Sequence, residues 1–174
     1  MKKIAIIIPS RLDALRLPNK PLELINSKEM ILHVYEAAEK TNAGDVYVAT
    51  PDQEIINVIT NHGGKAVLTS LDHQTGTDRV YEVFKDHLNS EPNLIVNLQG
   101  DMPNIDSKII SELVNYMKEE KCDIGSYASE FSAESVKNDL NTVALNWENF
   151  SQINHHFSHL IEKELPATNQ MASG

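Results

Sequence analysis

Ile4-Ala5-Ile6-Ile7-Ile8, followed at once by Pro9-Ser10-Arg11, is the stretch that decides the fold of this chain. A continuous β-branched run with no polar alternation reads as a central strand buried on both faces. Residues 9–21, which hold three prolines, read as a loop leaving that strand. From Met30 the apolar period changes to that of a helix, with Met30, Ile31, Val34, Tyr35 and Ala38 on one face and residues 42–44 closing it.

The alternation continues outward. Residues 46–50 read as a strand, and Pro51-Asp52 opens a helix burying Ile55, Ile56 and Ile59 that Gly63-Gly64 ends. Residues 66–68 form a short strand, and residues 69–77 a polar loop. Thr77 is the expected N-cap of a helix burying Val80, Val83, Phe84 and Leu88. Residues 94–98 read as another buried strand, ending in Gln99-Gly100-Asp101. Asp106 or Ser107 then caps a helix with Ile109, Ile110, Leu113, Val114 and Met117 inward, and residues 124–131 read as a fifth strand. Strands alternating with helices imply an α/β fold: a parallel sheet covered on both faces, with right-handed crossovers. In such sheets ligands sit beyond the carboxyl ends of the strands, where the loops 9–21 and 99–103 emerge.

The 174 residues suit one domain, and 41% hydrophobic residues suit a globular one. The net charge of −10 argues against broad nucleic-acid or anionic-membrane binding, because such a surface repels phosphate backbones. A small nucleotide held by a local cluster of cations remains compatible with it. The single cysteine, Cys122, leaves no intrachain disulfide framework and reads as a buried small hydrophobe. The apolar start is too short for a secretory core, and no run approaches the roughly 20 apolar residues that span a bilayer, so a cytoplasmic location is expected. His155 and His159 have helical i, i+4 spacing, but no third zinc ligand is evident. Residues 146–174 lack a core pattern and are expected to form a poorly ordered tail after a nucleotide-binding domain spanning residues 1–145.

Three segments could carry chemistry. The first is Pro9-Ser10-Arg11 with Arg16-Leu17-Pro18-Asn19-Lys20-Pro21. Arg11, Arg16 and Lys20 stand out in an acidic protein; they could hold a triphosphate, or be a solvated basic loop. Without glycines it is not a Walker loop. The second is Asp72-His73-Gln74-Thr75-Gly76-Thr77-Asp78-Arg79, whose hydroxyls and helix start suit an anion or a ribose, or simply a capped turn. The third is Gln99-Gly100-Asp101-Met102-Pro103. A carboxylate directly after a buried strand could hold Mg²⁺ beside phosphates, or could be a β-turn aspartate. Gly100 would let the backbone come close to a ligand.

Taken together, in this order and spacing, the three segments resemble the signature motifs of 3-deoxy-manno-octulosonate (KDO) cytidylyltransferases over roughly residues 1–145. The resemblance implies a Rossmann-like nucleotidyltransferase sheet of the glycosyltransferase-A type, with helices on both faces and its C-terminal part incomplete. It implies transfer of CMP from CTP to KDO, with release of pyrophosphate, for lipopolysaccharide biosynthesis. Carried onto matching positions, Arg11, Arg16 and Lys20 would neutralise the triphosphate. Ser10, Thr75, Gly76, Thr77 and Arg79 would hold the nucleotide, Gln99 would touch the sugar acid, and Asp101 would bind Mg²⁺. Arg11, Lys20 and Asp101 form the expected catalytic group.

The sequence departs from that pattern in places. Asn19 stands where glycine is usual, and Met102 where glutamate is common. A lysine expected near Ala144 is missing, and His156-Phe157-Ser158-His159 replaces a Tyr-Phe-Ser-Arg motif. The chain is also shorter than the family pattern, which implies that a second metal-binding aspartate, much of the sugar-acid pocket and the dimer-forming segment are lacking. A family-like homodimer is therefore not expected. A nucleotide-binding remnant without turnover, and a cytidylyltransferase for another acid sugar such as a sialic acid, stay open beside the KDO enzyme.

Overall fold

The isoleucine run forms β1 (Ile4–Pro9), every residue of which is buried. Two-sided burial explains why the run carries no polar alternation, and each such isoleucine contributes about 2–3 kcal/mol. The computed structural model describes residues 3–13, 17–119 and 123–126, all within one compact unit, Met1–Tyr127.

After a short 3-10 turn (Lys20–Leu22) comes a small hairpin of β2 (Leu24–Ile25) and β3 (Lys28–Glu29). Asn26 and Ser27 at its tip both have positive φ, 50° and 63°, the handedness of a tight two-residue hairpin. The helix α1 (Met30–Glu39) buries Met30, Ile31, Val34, Tyr35 and Ala38, the face its spacing defined. Next follow β4 (Asp45–Thr50), α2 (Gln53–Asn61) and β5 (Ala66–Leu68). Of the α2 face, Ile55 and Ile59 are buried and Ile56 is partly covered. Gly63, with φ 82°, turns the chain out of α2 in a left-handed step that other residues resist.

The helix α3 (Gly76–Glu82) starts two residues earlier than a Thr77 cap would allow. The N-cap is Thr75, whose side chain accepts the Asp78 N–H while the Asp78 carboxylate accepts the Thr75 N–H, a reciprocal capping box. Thr77 has Val80 three residues on and can close no such box. The chain leaves α3 through a π turn (Val83–His87) in which the Leu88 N–H bonds to the Val83 carbonyl at 2.9 Å. It then forms β6 (Leu94–Asn97) and α4 (Ser107–Glu119). At the start of α4, the Asp106 carboxylate accepts the Lys108 N–H at 2.9 Å. Ile110, Val114 and Met117 are buried in α4, while Ile109 and Leu113 are partly covered. Residues 124–126 form no strand, and the rest of the expected fifth strand lies outside the described residues. Cys122, the altered motifs near Ala144 and His156, and the 146–174 tail lie outside them as well.

The main sheet is parallel, in the order β5-β4-β1-β6. Side-chain alternation along β1 divides the core. Ile4, Ile6 and Ile8 face a larger cluster with Ile31 and Tyr35 of α1, Ile55 and Ile59 of α2, and Ile110 and Val114 of α4. Ala5 and Ile7 face a smaller one with Ala49, Val80 and Val83. Helices therefore cover both faces, three on one and α3 with its π turn on the other.

Candidate functional site

Chain order creates the site. From β1 the chain moves outward to β4 and β5, then crosses back to β6 on the other side of β1. At that reversal the loops after β1 and β6 emerge side by side at the strands' carboxyl ends, with the start of α3 beside them. A cleft of about 330 Å³ lies there, and all three suspected segments line it. The loop after β1 and its 3-10 turn supply Ser10, Arg11 and Lys20. Gln74, Thr75, Gly76 and Arg79 line it from the start of α3, and Gln99, Gly100 and Asp101 from the end of β6.

Backbone bonds fix these edges. The Ser10 N–H bonds to the Ala49 carbonyl at 2.9 Å, and the Leu98 N–H to the Ile7 carbonyl at 3.0 Å. The Leu12 N–H is caught by the Asp52 carboxylate at 2.7 Å, which ties the loop after β1 to the start of α2. Gly100 packs so tightly on the end of β1 that an added Cβ would sit 2.8 Å from the Pro9 carbonyl oxygen. The glycine thus serves close approach between two strand ends rather than a special φ. Asn19 has φ 59°, a left-handed conformation in which asparagine is the commonest substitute for glycine. That conformation is the physical reason why asparagine can stand in the glycine position of the motif.

The cleft is unbalanced in charge. Arg11, Lys20 and Arg79 line it against one carboxylate, Asp101. Lys20 Nζ donates to Asp101 Oδ2 at 3.0 Å, with both side chains substantially exposed. Arg79 is only 3% exposed; its Nη1 donates to the Thr69 hydroxyl and, at 3.0 Å, to the Ser70 carbonyl. Burial pulls the Arg79 pKa down, and Arg11 adds to that pull, while Glu82 and Asp52 oppose it. Arg79 therefore brings charge to the cleft and also anchors the 69–70 backbone.

Other expected residues fall differently. Thr77 does not line the cleft; its hydroxyl accepts from Asn97 Nδ2 at 3.4 Å, and Asn97 Oδ1 accepts from Gln99 Nε2 at 3.5 Å. His73 does not line it either, and its Nε2 is hydrogen-bonded to Glu82 Oε2. Arg16 lies outside the described residues. Sequence reasoning missed Glu82, although its i, i+3 spacing from Arg79 places both on one side of α3.

Among the described residues no group of three or more histidine, cysteine or acidic side chains could hold a metal alone. Asp101 still fits Mg²⁺, an ion that commonly takes one or two carboxylates and completes its shell with phosphate oxygens and water. The carboxylate is exposed at the cleft, beside the cations that would face those phosphates.

A family model described as "Cytidylyltransferase" matches residues 5–161. The chain is 42% identical over 148 residues to the 3-deoxy-manno-octulosonate cytidylyltransferase of Rickettsia typhi, covering 84% of this chain and 61% of that protein. It is 44% identical over 144 residues to the protein of the same name from Rickettsia bellii, covering 82% and 59%. The chain thus spans about three-fifths of the length of these relatives. Among solved structures, a CMP:2-keto-3-deoxy-manno-octonic acid synthetase complexed with CTP superposes with a TM-score of 0.64 at 40% identity, over 68% of this chain and 48% of that one. A cytidylyltransferase from Leptospira borgpetersenii, 23% identical with a TM-score of 0.58, shares the fold.

Proposed function

The chain belongs to the cytidylyltransferase family, and we propose that it carries the nucleotide-binding part, residues 1–145, of an enzyme that transfers CMP from CTP to KDO. The observation that carries this reading is the convergence of three cations and one carboxylate on the cleft between β1 and β6. In the proposed reaction the anomeric hydroxyl of the sugar acid attacks the α-phosphorus of CTP. A new P–O bond forms, the bond to the bridging oxygen breaks, pyrophosphate leaves, and the hydroxyl proton is lost. Both the entering and leaving groups are anionic, so catalysis rests on position and charge neutralisation.

Arg11 and Lys20, with Arg16 from the same loop, face the triphosphate in this reading. Ser10, Thr75 and Gly76 hold the nucleotide at the start of α3, with Thr77 steadying β6 through Asn97. Arg79 supplies a buried positive charge, and Gln99 meets the sugar acid. Asp101 would hold Mg²⁺, which when bound draws charge from the phosphate oxygens. Lys20, whose Nζ pairs with Asp101 Oδ2 at 3.0 Å, would then turn to phosphate. The product would feed lipopolysaccharide biosynthesis. No helix of the described residues is long and apolar enough to cross a membrane, and we place the reaction in the cytoplasm.

Pyrophosphate release from purified chain with CTP, Mg²⁺ and KDO tests the reading. Release that Asp101→Ala removes supports it. A folded chain that neither releases pyrophosphate nor binds CTP contradicts it.

A further inference from the structure

The loop of residues 69–75 carries Gln74 and Thr75 to the cleft, yet it is short of backbone bonds to the sheet. Its first residue is tied by the Thr69 N–H to the Thr50 carbonyl at 2.9 Å. Beyond that, the ties come from side chains. Glu82, at the last position of α3, accepts the Ser70 N–H at 3.0 Å on one oxygen and 3.3 Å on the other. The same carboxylate is hydrogen-bonded to His73 Nε2, and the two side chains are only 22% and 19% exposed. One turn earlier on the helix, Arg79 holds Thr69 and the Ser70 carbonyl. Both backbone polar groups of Ser70 are therefore satisfied from α3, its N–H by Glu82 and its carbonyl by Arg79. The Thr75 capping box closes the segment at its other end.

Glu82 does not line the cleft, whereas Gln74, Thr75 and Gly76 do. Burial alone would push the Glu82 pKa up, but the hydrogen bonds from His73 and the Ser70 N–H, together with the nearby His73 and His87 imidazoles, outweigh it and hold the carboxylate ionised to lower pH than usual. A charged acceptor makes stronger bonds than a neutral one.

We propose that Glu82 is a positioning residue: through Ser70 and His73 it fixes the 69–75 loop so that Gln74, Thr75 and Gly76 meet the nucleotide. The inference rests on the cytidylyltransferase reading for its ligand and on geometry alone for the brace. Arg79 and Glu82 form one clamp, of which Arg79 reaches the cleft and Glu82 does not.

The test uses the full chain as wild type, Glu82→Ala and Glu82→Gln, with amide hydrogen exchange and calorimetric titration of CTP and of inorganic pyrophosphate. In Glu82→Ala the Ser70 amide should lose protection, and CTP affinity should fall about tenfold, as expected for losing hydrogen bonds to a charged group. Affinity for pyrophosphate, held by Arg11 and Lys20 on the opposite loop, should stay within about twofold. Glu82→Gln, which keeps an acceptor for the Ser70 N–H, should restore that protection and much of the affinity. Unchanged Ser70 protection in Glu82→Ala overturns the proposal. So does a parallel loss of CTP and pyrophosphate affinity, which would mean a general loss of structure. If the alanine chain does not fold, His73→Asn, which removes the second partner of Glu82, should raise exchange across residues 72–74; unchanged exchange there overturns the brace. A wild-type chain that does not bind CTP counts against the functional reading, and the exchange comparison then decides the brace separately.

Discussion

The two ends of the parallel sheet carry similar side chains in opposite arrangements. At the amino end, a groove between β1, α1 and β4 is lined by Lys3, Glu39, Asp45 and Lys65. There the charges answer one another: Lys3 pairs with Glu91, Lys65 Nζ with Asp45 Oδ1 at 2.7 Å, and Glu39 accepts from the Tyr35 hydroxyl at 3.1 Å. At the carboxyl end, Arg11, Lys20 and Arg79 line the cleft with a single carboxylate, Asp101, which pairs with Lys20. The groove at the amino end has a volume of about 470 Å³, against about 330 Å³ for the cleft. Size therefore does not pick out the site. What does is a local surplus of positive charge at the topological switch of a protein that carries −10 overall.

That contrast can be broken by mutation. The largest effect expected is on ligand binding at the cleft: Lys20→Ala should weaken CTP binding about 100-fold, read by calorimetry, because it removes a cation that the proposed reading turns toward phosphate. A loss below about threefold would place the triphosphate elsewhere. Gly100→Ala comes next, since its Cβ would meet the Pro9 carbonyl oxygen at 2.8 Å. It should destabilise the fold by about 2 kcal/mol in urea unfolding and move the two cleft edges apart. Unaltered stability would show that β1 and β6 have slack where they meet.

A smaller effect belongs to acid. The folded-state pKa of Glu82 is lowered, so its contribution to stability is present above the ordinary glutamate range and is lost as pH falls through that lowered value. Glu36, held down chiefly by its hydrogen bond from Lys28, follows the same sign. Thermal midpoints recorded from about pH 6 to about pH 3 should drop less steeply in Glu82→Gln than in wild type. Equal slopes would show that the carboxylate titrates normally. The smallest effect is predicted at the amino end. Lys65→Ala breaks an exposed pair and should change stability by no more than about 0.5 kcal/mol and CTP affinity not at all.

How much of this could be read in the sequence depends on the range over which each feature is determined. The strands declare themselves because burial on both faces demands uninterrupted apolar runs, as in Ile4 to Ile8. The three cleft segments were legible as motifs, since each follows a strand or opens a helix. The β2–β3 hairpin was not, because two-residue strands have no period, and its only signal is Asn26-Ser27. Thr77 looked like a cap because it is polar and precedes Val80, but the Asp78 side chain selects Thr75. The role of Glu82 depends on Ser70, 12 residues away and across a turn, and residue-by-residue reading does not resolve such a contact. Asn19 shows the reverse case: a departure from a motif that the backbone explains, because its conformation is left-handed.

The central claim, that CTP binds at the carboxyl end of the sheet and not at the larger groove, is tested most directly by amide chemical-shift mapping of the full chain titrated with CTP. The account predicts perturbations at Ser10, Lys20, Thr75, Gly76 and Gly100, with Gly44, Asp45 and Lys65 unmoved. Perturbations centred on Gly44 and Lys65, or none in a folded sample, would contradict it.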